Sequence, residues 1–495
     1  MRCSVGTYLR HMLTRLEVHG FKNLVDVDVR FGPFTCIAGG NGVGKSNLFD
    51  AIRFLGALGD LPLNEAAGLV RDEGGGGDLQ SLFTKVGEER LEQMRFAAEV
   101  IIQAEGVDDL RQAARATATY LRYELHLGFR EADAELPERL VLEHESLIPL
   151  KIGDLRRQLP FRYNDIWRRS AVIPKVGTIN PLLATVQQEK GIIIKRHQER
   201  KGGKPREFYA EDVPRTVLSS TSAVEGPTAL LVRQELRSWR LLQLEPSALR
   251  KPSNYRDSNR LGSDGSSLAA TLRRLILSEG EDEGGSTLQL ISNRLNDLLR
   301  NVRHVRLVDD PVRQTYSLAV RDRSDTLHDT RSLSDGTLRF LALSVLANDP
   351  KESGVICLEE PENGIHPERI PAIIELLRDI AVDPGLALDV DNPPRQVIVN
   401  THSPAVVQQV PFESLLIAQT GPIVRTGGSA RGGVRYLPPP NSLREKRGDP
   451  SFPLTSLLPY VSPVADAPAA TSEPGALHRV IDSPVVAQLR LFDMV

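Results

Sequence analysis

The run Gly39-Gly40-Asn41-Gly42-Val43-Gly44-Lys45-Ser46 spells G-x-x-x-x-G-K-S. Its glycines let backbone N–H groups turn inward around a phosphate. Lys45 would reach the β- and γ-phosphates of a nucleotide, and Ser46 would ligate Mg²⁺. Its flanks make the match informative. The apolar FTCIAG (34–39) reads as a buried strand, and NLFDAIRFLGAL after it has helical periodicity. A helix N-terminus then adds its dipole to the anion site. The implied ligand is ATP or GTP with Mg²⁺. A second run, VICLEEPEN, ends an apolar strand on Glu359 and Glu360. The first would hold Mg²⁺ through water, and the second would orient or deprotonate the attacking water. Either glutamate could serve as the base. QVIVNTHSP ends another buried strand at His402, whose imidazole can bond the γ-phosphate or that water, or merely cap the strand. In RSLSDGTLRF, Ser334 and the first amides of a helix form an anion site. Alone, S-D-G-T is only a capped helix.

The surrounding elements must bring these residues together. LEVHGF (16–21) and VDVDVRF (25–31) alternate as half-buried strands do, and 95–102 and 118–129 read as further strands. Helical patterns cover 266–305, 337–348 and 369–381, while 318–322, 355–360 and 396–402 read as strands. Strands alternating with helices predict an α/β fold with a parallel sheet core. The expected organisation is 1–150, the first part of a nucleotide-binding head; 151–262, a compact inserted lobe; 263–436, the rest of the head; and 437–495, a Pro-rich, partly disordered tail ending in the apolar VVAQLRLFDMV.

Composition sets outer bounds. The 495 residues are 40% hydrophobic and 25% charged, ordinary for a globular chain of two or three lobes. Three cysteines, Cys3, Cys36 and Cys357, exclude a disulfide framework. No apolar run approaches the ~20 residues of a membrane span, and no secretory signal opens the chain, so a cytoplasmic protein is expected. The true start could be Met1 or Met12. The net charge of −3 is unevenly spread: 151–262 holds 22 lysines and arginines against 11 acidic residues, leaving −14 for the rest. Within it, Lys151, Arg156, Arg157, Arg162, Arg168, Arg169 and Lys175 interleave with Phe161, Tyr163 and Trp167. Cations with aromatics are a nucleic-acid composition. The competing reading is an aromatic core face with a basic outer face.

In this order and spacing, LSDGT resembles the LSGGQ signature of ABC-type ATPases. The set GGNGVGKSNLFDAIRFL, LSDGTLRFLAL, EEPENGIHP and THSP resembles AAA-class predicted ATPases of the RecF, OLD and structural-maintenance-of-chromosomes (SMC) branch, over roughly 12–110 and 265–425. The resemblance implies an ABC-type P-loop fold, a mixed sheet flanked by helices. It implies slow hydrolysis of ATP with Mg²⁺ in an ATP-sandwiched dimer. By carry-over, Gly39, Asn41, Gly42, Gly44, Lys45, Ser46 and Asn47 hold the nucleotide. Glu359 takes the Walker B acidic position in place of the usual aspartate, Glu360 is the catalytic glutamate and His402 the switch histidine. Ser334 and Gly336 are signature residues that close on the neighbouring subunit's γ-phosphate. Gln80 is a candidate for the Q-loop glutamine, and Asn363 and His366 fall where the D-loop would be. The stretch between phosphate loop and signature has no heptads, so a compact lobe is expected rather than a coiled coil. The expected role is action on DNA or RNA through 151–262, in repair or antiphage defence, with a separately encoded nuclease or effector and no membrane. The alternatives are a nucleotide-sensing scaffold for a protein partner and the ATPase subunit of a transporter.

Overall fold

The computed structural model describes residues 12–70, 78–86, 88–132, 136–175, 177, 179–199, 204–279, 285–299, 302–389, 391–423, 431–461 and 479–483. Its central sheet has six strands in the order Arg240–Leu242, Gly354–Glu359, Arg395–Thr401, Phe34–Ala38, Leu415–Ile423 and Arg431–Leu437. The first five run parallel, and only the last is antiparallel. Phe34–Ala38 and Arg395–Thr401 are buried at every position, as strands covered on both faces must be. Parallel register has a direct consequence for chemistry. Glu359 pairs with Asn400 and Thr401 with Ala38, so three strand ends finish side by side at one edge. The helices Lys45–Leu58, Asp335–Ala347 and Ile370–Ile380 carry the apolar faces that cover this sheet.

A second, antiparallel sheet has eight strands: Arg206–Tyr209, Gly191–Arg196, Leu183–Gln188, Arg139–Pro149, Tyr120–Arg130, Gln93–Ile101, Met12–Phe21 and Leu24–Arg30. Gln396 joins the two sheets. Its buried amide accepts from the Leu13 N–H at 2.9 Å and donates to the carbonyls of Leu13 and Gly32 at 2.8 and 2.9 Å. A third, small sheet combines Ser253–Asn254, Val302–Asp310, Thr315–Asp322 and Leu327–Asp329, beside the helices Leu268–Glu279 and Ser286–Leu299. Among the described residues no helix is long and apolar enough to cross a membrane.

Three expectations change. Residues 151–262 are not a lobe of their own: 183–209 extends the antiparallel sheet, and Arg240–Leu242 is an edge strand of the central sheet beside Gly354–Glu359. The charge count could not reveal this, because pairing with distant strands is what assigns these segments. The helical reading of 266–305 fails at its end, where Val302–Asp310 is a strand. Residues 437–461, expected as the start of a tail, pack into the fold instead. Arg444 and Phe452 are buried, and Arg444 donates to the carbonyls of Arg30 and Glu413. Phe452 and Leu457 join the core behind the central sheet. Cys3, residues 200–203 and 280–284, and the final apolar stretch lie outside the described residues.

Candidate functional site

Where the parallel strands end, a cleft of about 540 Å³ opens between the phosphate loop and the strand-end glutamates. Asn41, Gly42, Gly44, Lys45, Ser46 and Asn47 line one wall; Gln243, Glu359, Glu360, Asn363 and Asn400 line the other. The loop's shape depends on its glycines. Gly42 and Gly44 have φ of 74° and 116°, and a Cβ on Gly44 would sit 2.6 Å from the Asn23 amide. Asn23 donates to the Val43 carbonyl at 3.2 Å and accepts from Asn47 at 2.9 Å, bracing the loop from outside. Tyr436, buried, donates to the Gly44 carbonyl at 2.8 Å. Lys45 folds back to donate to the carbonyls of Gly39 and Gly40 at 2.7 and 2.8 Å. Burial lowers its pKa, and the charges of Glu360, Glu359 and Glu362 oppose that shift. A phosphate can replace those carbonyls as the acceptor and gain a charge-assisted bond.

The two glutamates are held differently. Glu359 accepts from the Gln243 side-chain amide at 2.7 Å and from Asn400 at 3.5 Å. Glu360 sits at φ 44°, a left-handed conformation that costs a non-glycine residue about 1–3 kcal/mol. Its N–H donates to both the backbone and side-chain oxygens of Asn400, at 3.0 and 3.1 Å, which fixes the turn. One carboxylate oxygen lies 2.5 Å from His402 Nδ1, and the other accepts from Asn363 at 2.9 Å. The carboxylate is thereby aimed before any ligand arrives.

The expected residues therefore divide. Asn41, Gly42, Gly44, Lys45, Ser46 and Asn47 share one cleft with Glu359 and Glu360, Gly39 is tied to it only through its carbonyl on Lys45, and His402 joins it through Glu360. Ser334 and Gly336 do not line this cleft. Ser334 is exposed and caps Asp335–Ala347, its Oγ accepting from the Thr337 N–H at 3.3 Å. Gly336 is buried where a Cβ would come within 2.5 Å of the Gly364 carbonyl, so the helix Asp335–Ala347 packs directly on the turn holding Asn363. Arg339 reinforces that joint, donating to the carbonyls of Leu244 and Asn363.

Gln80 is not the glutamine at the site. It lies in the short 3-10 segment Leu79–Leu82, and Gln243 occupies the cleft instead. Sequence reading also passed over Asn400, Tyr436 and Asn23. The only available signal for Gln243 was a polar residue closing the short apolar run WRLLQ. The tryptophan at the centre of the basic block resolves against base stacking. Trp167 is 1% exposed, packed by Phe161 and Tyr163 at centroid distances of 5.6 and 5.5 Å. Arg156, Arg157, Arg162 and Arg169 remain exposed around this small core, and Arg168 pairs with Asp165 at 3.1 Å.

Residues 206–408 match the family described as AAA domain, putative AbiEii toxin, Type IV TA system, and residues 15–75 match one described as AAA domain. No curated protein matches the sequence. Solved structures similar to this chain include an SMC head bound to the C-winged helix domain of ScpA, with 14% identity, covering 88% of this chain and 99% of that one, TM-score 0.41. Another is the Smc head domain with an extended coiled coil bound to the C-terminal domain of ScpA derived from Pyrococcus furiosus, at 12% identity, 88% and 97% coverage and TM-score 0.43. The SMC head domain from Thermotoga maritima follows at 11%, 86% and 98%, and 0.36. One AAA segment carries the phosphate loop; the other carries Gln243, the signature helix, the paired glutamates and His402.

Proposed function

We propose that this AAA-type P-loop protein is a slow ATP hydrolase of the SMC, RecF and OLD-like kind, whose site is completed by a second copy of the chain. One observation carries the reading. The cleft gathers the phosphate loop, Gln243 and both strand-end glutamates in one subunit, while Ser334 is exposed outside it. In this reading Lys45 leaves the loop carbonyls for the β- and γ-phosphates. Glu360, held on both oxygens, orients the attacking water and draws its proton as the bond to the γ-phosphorus forms. His402 steadies that carboxylate. The oxygen donors Ser46 and Glu359 suit a hard cation, and Mg²⁺ bound there would neutralise phosphate charge. Ser334 and the first amides of its helix cap the γ-phosphate held by the other subunit.

The proposed partner is nucleic acid, met through the exposed Arg156, Arg157, Arg162 and Arg169 by charge alone, since Trp167 is withdrawn. The matched family's description as a putative toxin supports a defence role over repair; a separately encoded effector rests on the motif resemblance alone. One experiment tests both parts. ATP binding and turnover are measured for the wild-type chain and Glu360→Gln, with and without duplex DNA, from about 50 to 200 mM salt. The variant should bind ATP normally and lose turnover by about 10²–10⁴-fold. DNA binding should weaken steeply with salt, at roughly 0.9 log units per log unit for each phosphate contact. Normal turnover in Glu360→Gln would reassign the base, and salt-independent or absent DNA binding would remove nucleic acid from the proposal.

A further inference from the structure

The turn 361–364 carries a third carboxyl group that neither the motif reading nor the cleft accounts for. Glu362 is 6% exposed, whereas Glu359 and Glu360 both reach the cleft. One of its oxygens accepts the hydroxyl hydrogen bond of Thr401; the other is buried with no hydrogen-bond partner. Thr401 and His402 are neighbours, and the Thr401 hydroxyl also accepts the Ser403 N–H at 2.9 Å. The backbone on both sides of His402 is therefore tied to one hydroxyl, and that hydroxyl to Glu362. The next residue in the turn, Asn363, bonds the same Glu360 carboxylate that His402 meets. Burial pushes the Glu362 carboxyl up in pKa against the Thr401 hydrogen bond, and the charge of Glu360 adds to the rise. A neutral carboxyl accepts this bond without leaving an unpaired charge in the interior.

We propose that Glu362 is a positioning residue: through Thr401 it fixes His402 against Glu360, so that the imidazole and the carboxylate facing the attacking water keep one geometry. The inference rests on the roles proposed for Glu360 and His402, and it goes beyond them by assigning the second layer that aligns the pair. Misplacement of a reacting group by about 1 Å costs up to about 10²-fold.

The test compares Thr401→Val, Glu362→Leu, Glu362→Gln and the Thr401→Val/Glu362→Leu double variant. Thr401→Val and Glu362→Leu should each lower kcat by about 10–100-fold, with KM for ATP within about twofold. Glu362→Gln keeps an oxygen acceptor without a charge and should recover to within about threefold of wild type. The double variant should be no worse than the poorer single one, as for two ends of one bond. Multiplicative losses, a KM effect alone, or a Gln variant as impaired as the Leu variant would overturn the proposal. If Glu362→Leu fails to fold, judged by its melting curve, Thr401→Val and Glu362→Gln decide. The ring resonances of His402, assigned by their loss in His402→Gln, give a readout independent of turnover. They should move in Thr401→Val and stay in Glu362→Gln. A wild-type chain that hydrolyses no ATP would refute the proposed function, whereas resonances that ignore Thr401→Val would refute this positioning role.

Discussion

The nucleotide cleft and the outer face of the antiparallel sheet are both rich in charge, and they use it in opposite ways. On the sheet, Arg15 grips Asp28 at 2.8 and 2.6 Å and reaches Glu99 at 3.2 Å. Arg122 grips Glu17 at 2.9 and 2.7 Å and Glu124 at 2.6 Å. His144, and after burial's opposing effect Arg122, hold the Glu124 carboxyl down at about 2. Here the chain supplies the counter-charges, and the network fixes strand register. In the cleft, Lys45 rests on neutral carbonyls, and Glu359 and Glu360 accept bonds from the amides of Gln243 and Asn363. These amides and carbonyls orient the charges without cancelling them, and His402, 2.5 Å from Glu360, adds a titratable partner, so the cleft's charges are compensated less completely than the sheet's.

That contrast is breakable. Lys45→Leu should weaken ATP binding by about 10²-fold or more and change the unfolding free energy much less, since the desolvation of the buried Lys45 charge offsets much of what its carbonyl contacts and the nearby glutamates contribute. Arg122→Leu should do the reverse, costing about 1–3 kcal/mol of stability and leaving ATP affinity alone. Titration calorimetry and urea denaturation on both variants check this. Equal destabilisation by the two would erase the distinction.

A smaller effect sharpens it within the sheet. Glu145 is fully buried and accepts from the N–H groups of Val217 and Leu218 at 2.7 and 2.9 Å and from the Tyr123 hydroxyl at 3.0 Å. Burial pushes its carboxyl up to about 7 from an ordinary 4.5, against those bonds. A raised folded pKa gives stability that is complete below the unfolded value and lost as pH rises through about 7. The loss attributable to this group is at most about 3 kcal/mol. Urea midpoints at pH 5, 6, 7 and 8 should therefore fall less for Glu145→Gln than for wild type. Parallel curves would show that Glu145 does not titrate in this range.

Legibility in the sequence follows the range of the interactions involved. Lys45, Ser46, Glu359, Glu360 and Ser334 each stand in a contiguous run whose strand or helix is its own signal, and the buried strands around them are readable from apolarity alone. Gln243 was hard to read because the three-residue strand before it, Arg240–Leu242, gains meaning only by pairing with Gly354–Glu359. Asn400 follows the apolar VIV that marks its strand as core, where a polar residue reads only as the strand's end, and Tyr436 stands just before the Leu437 and prolines that announce a tail. Trp167 was ambiguous by nature: the same aromatic and basic interleaving serves stacking or core packing, and burial alone distinguishes them.

The central claim is that two copies of the chain complete each other's site, and mixed subunits test it most directly. Lys45→Ala and Ser334→Arg chains, co-expressed with different affinity tags, are purified as the mixed dimer and assayed beside each parent. The parents should be inactive, because every site in them lacks either the phosphate-binding lysine or the capping serine. The mixed dimer should hydrolyse ATP at about half the wild-type rate per dimer, because a symmetric sandwich leaves one of its two sites whole. A mixed dimer as inactive as its parents would contradict a shared site.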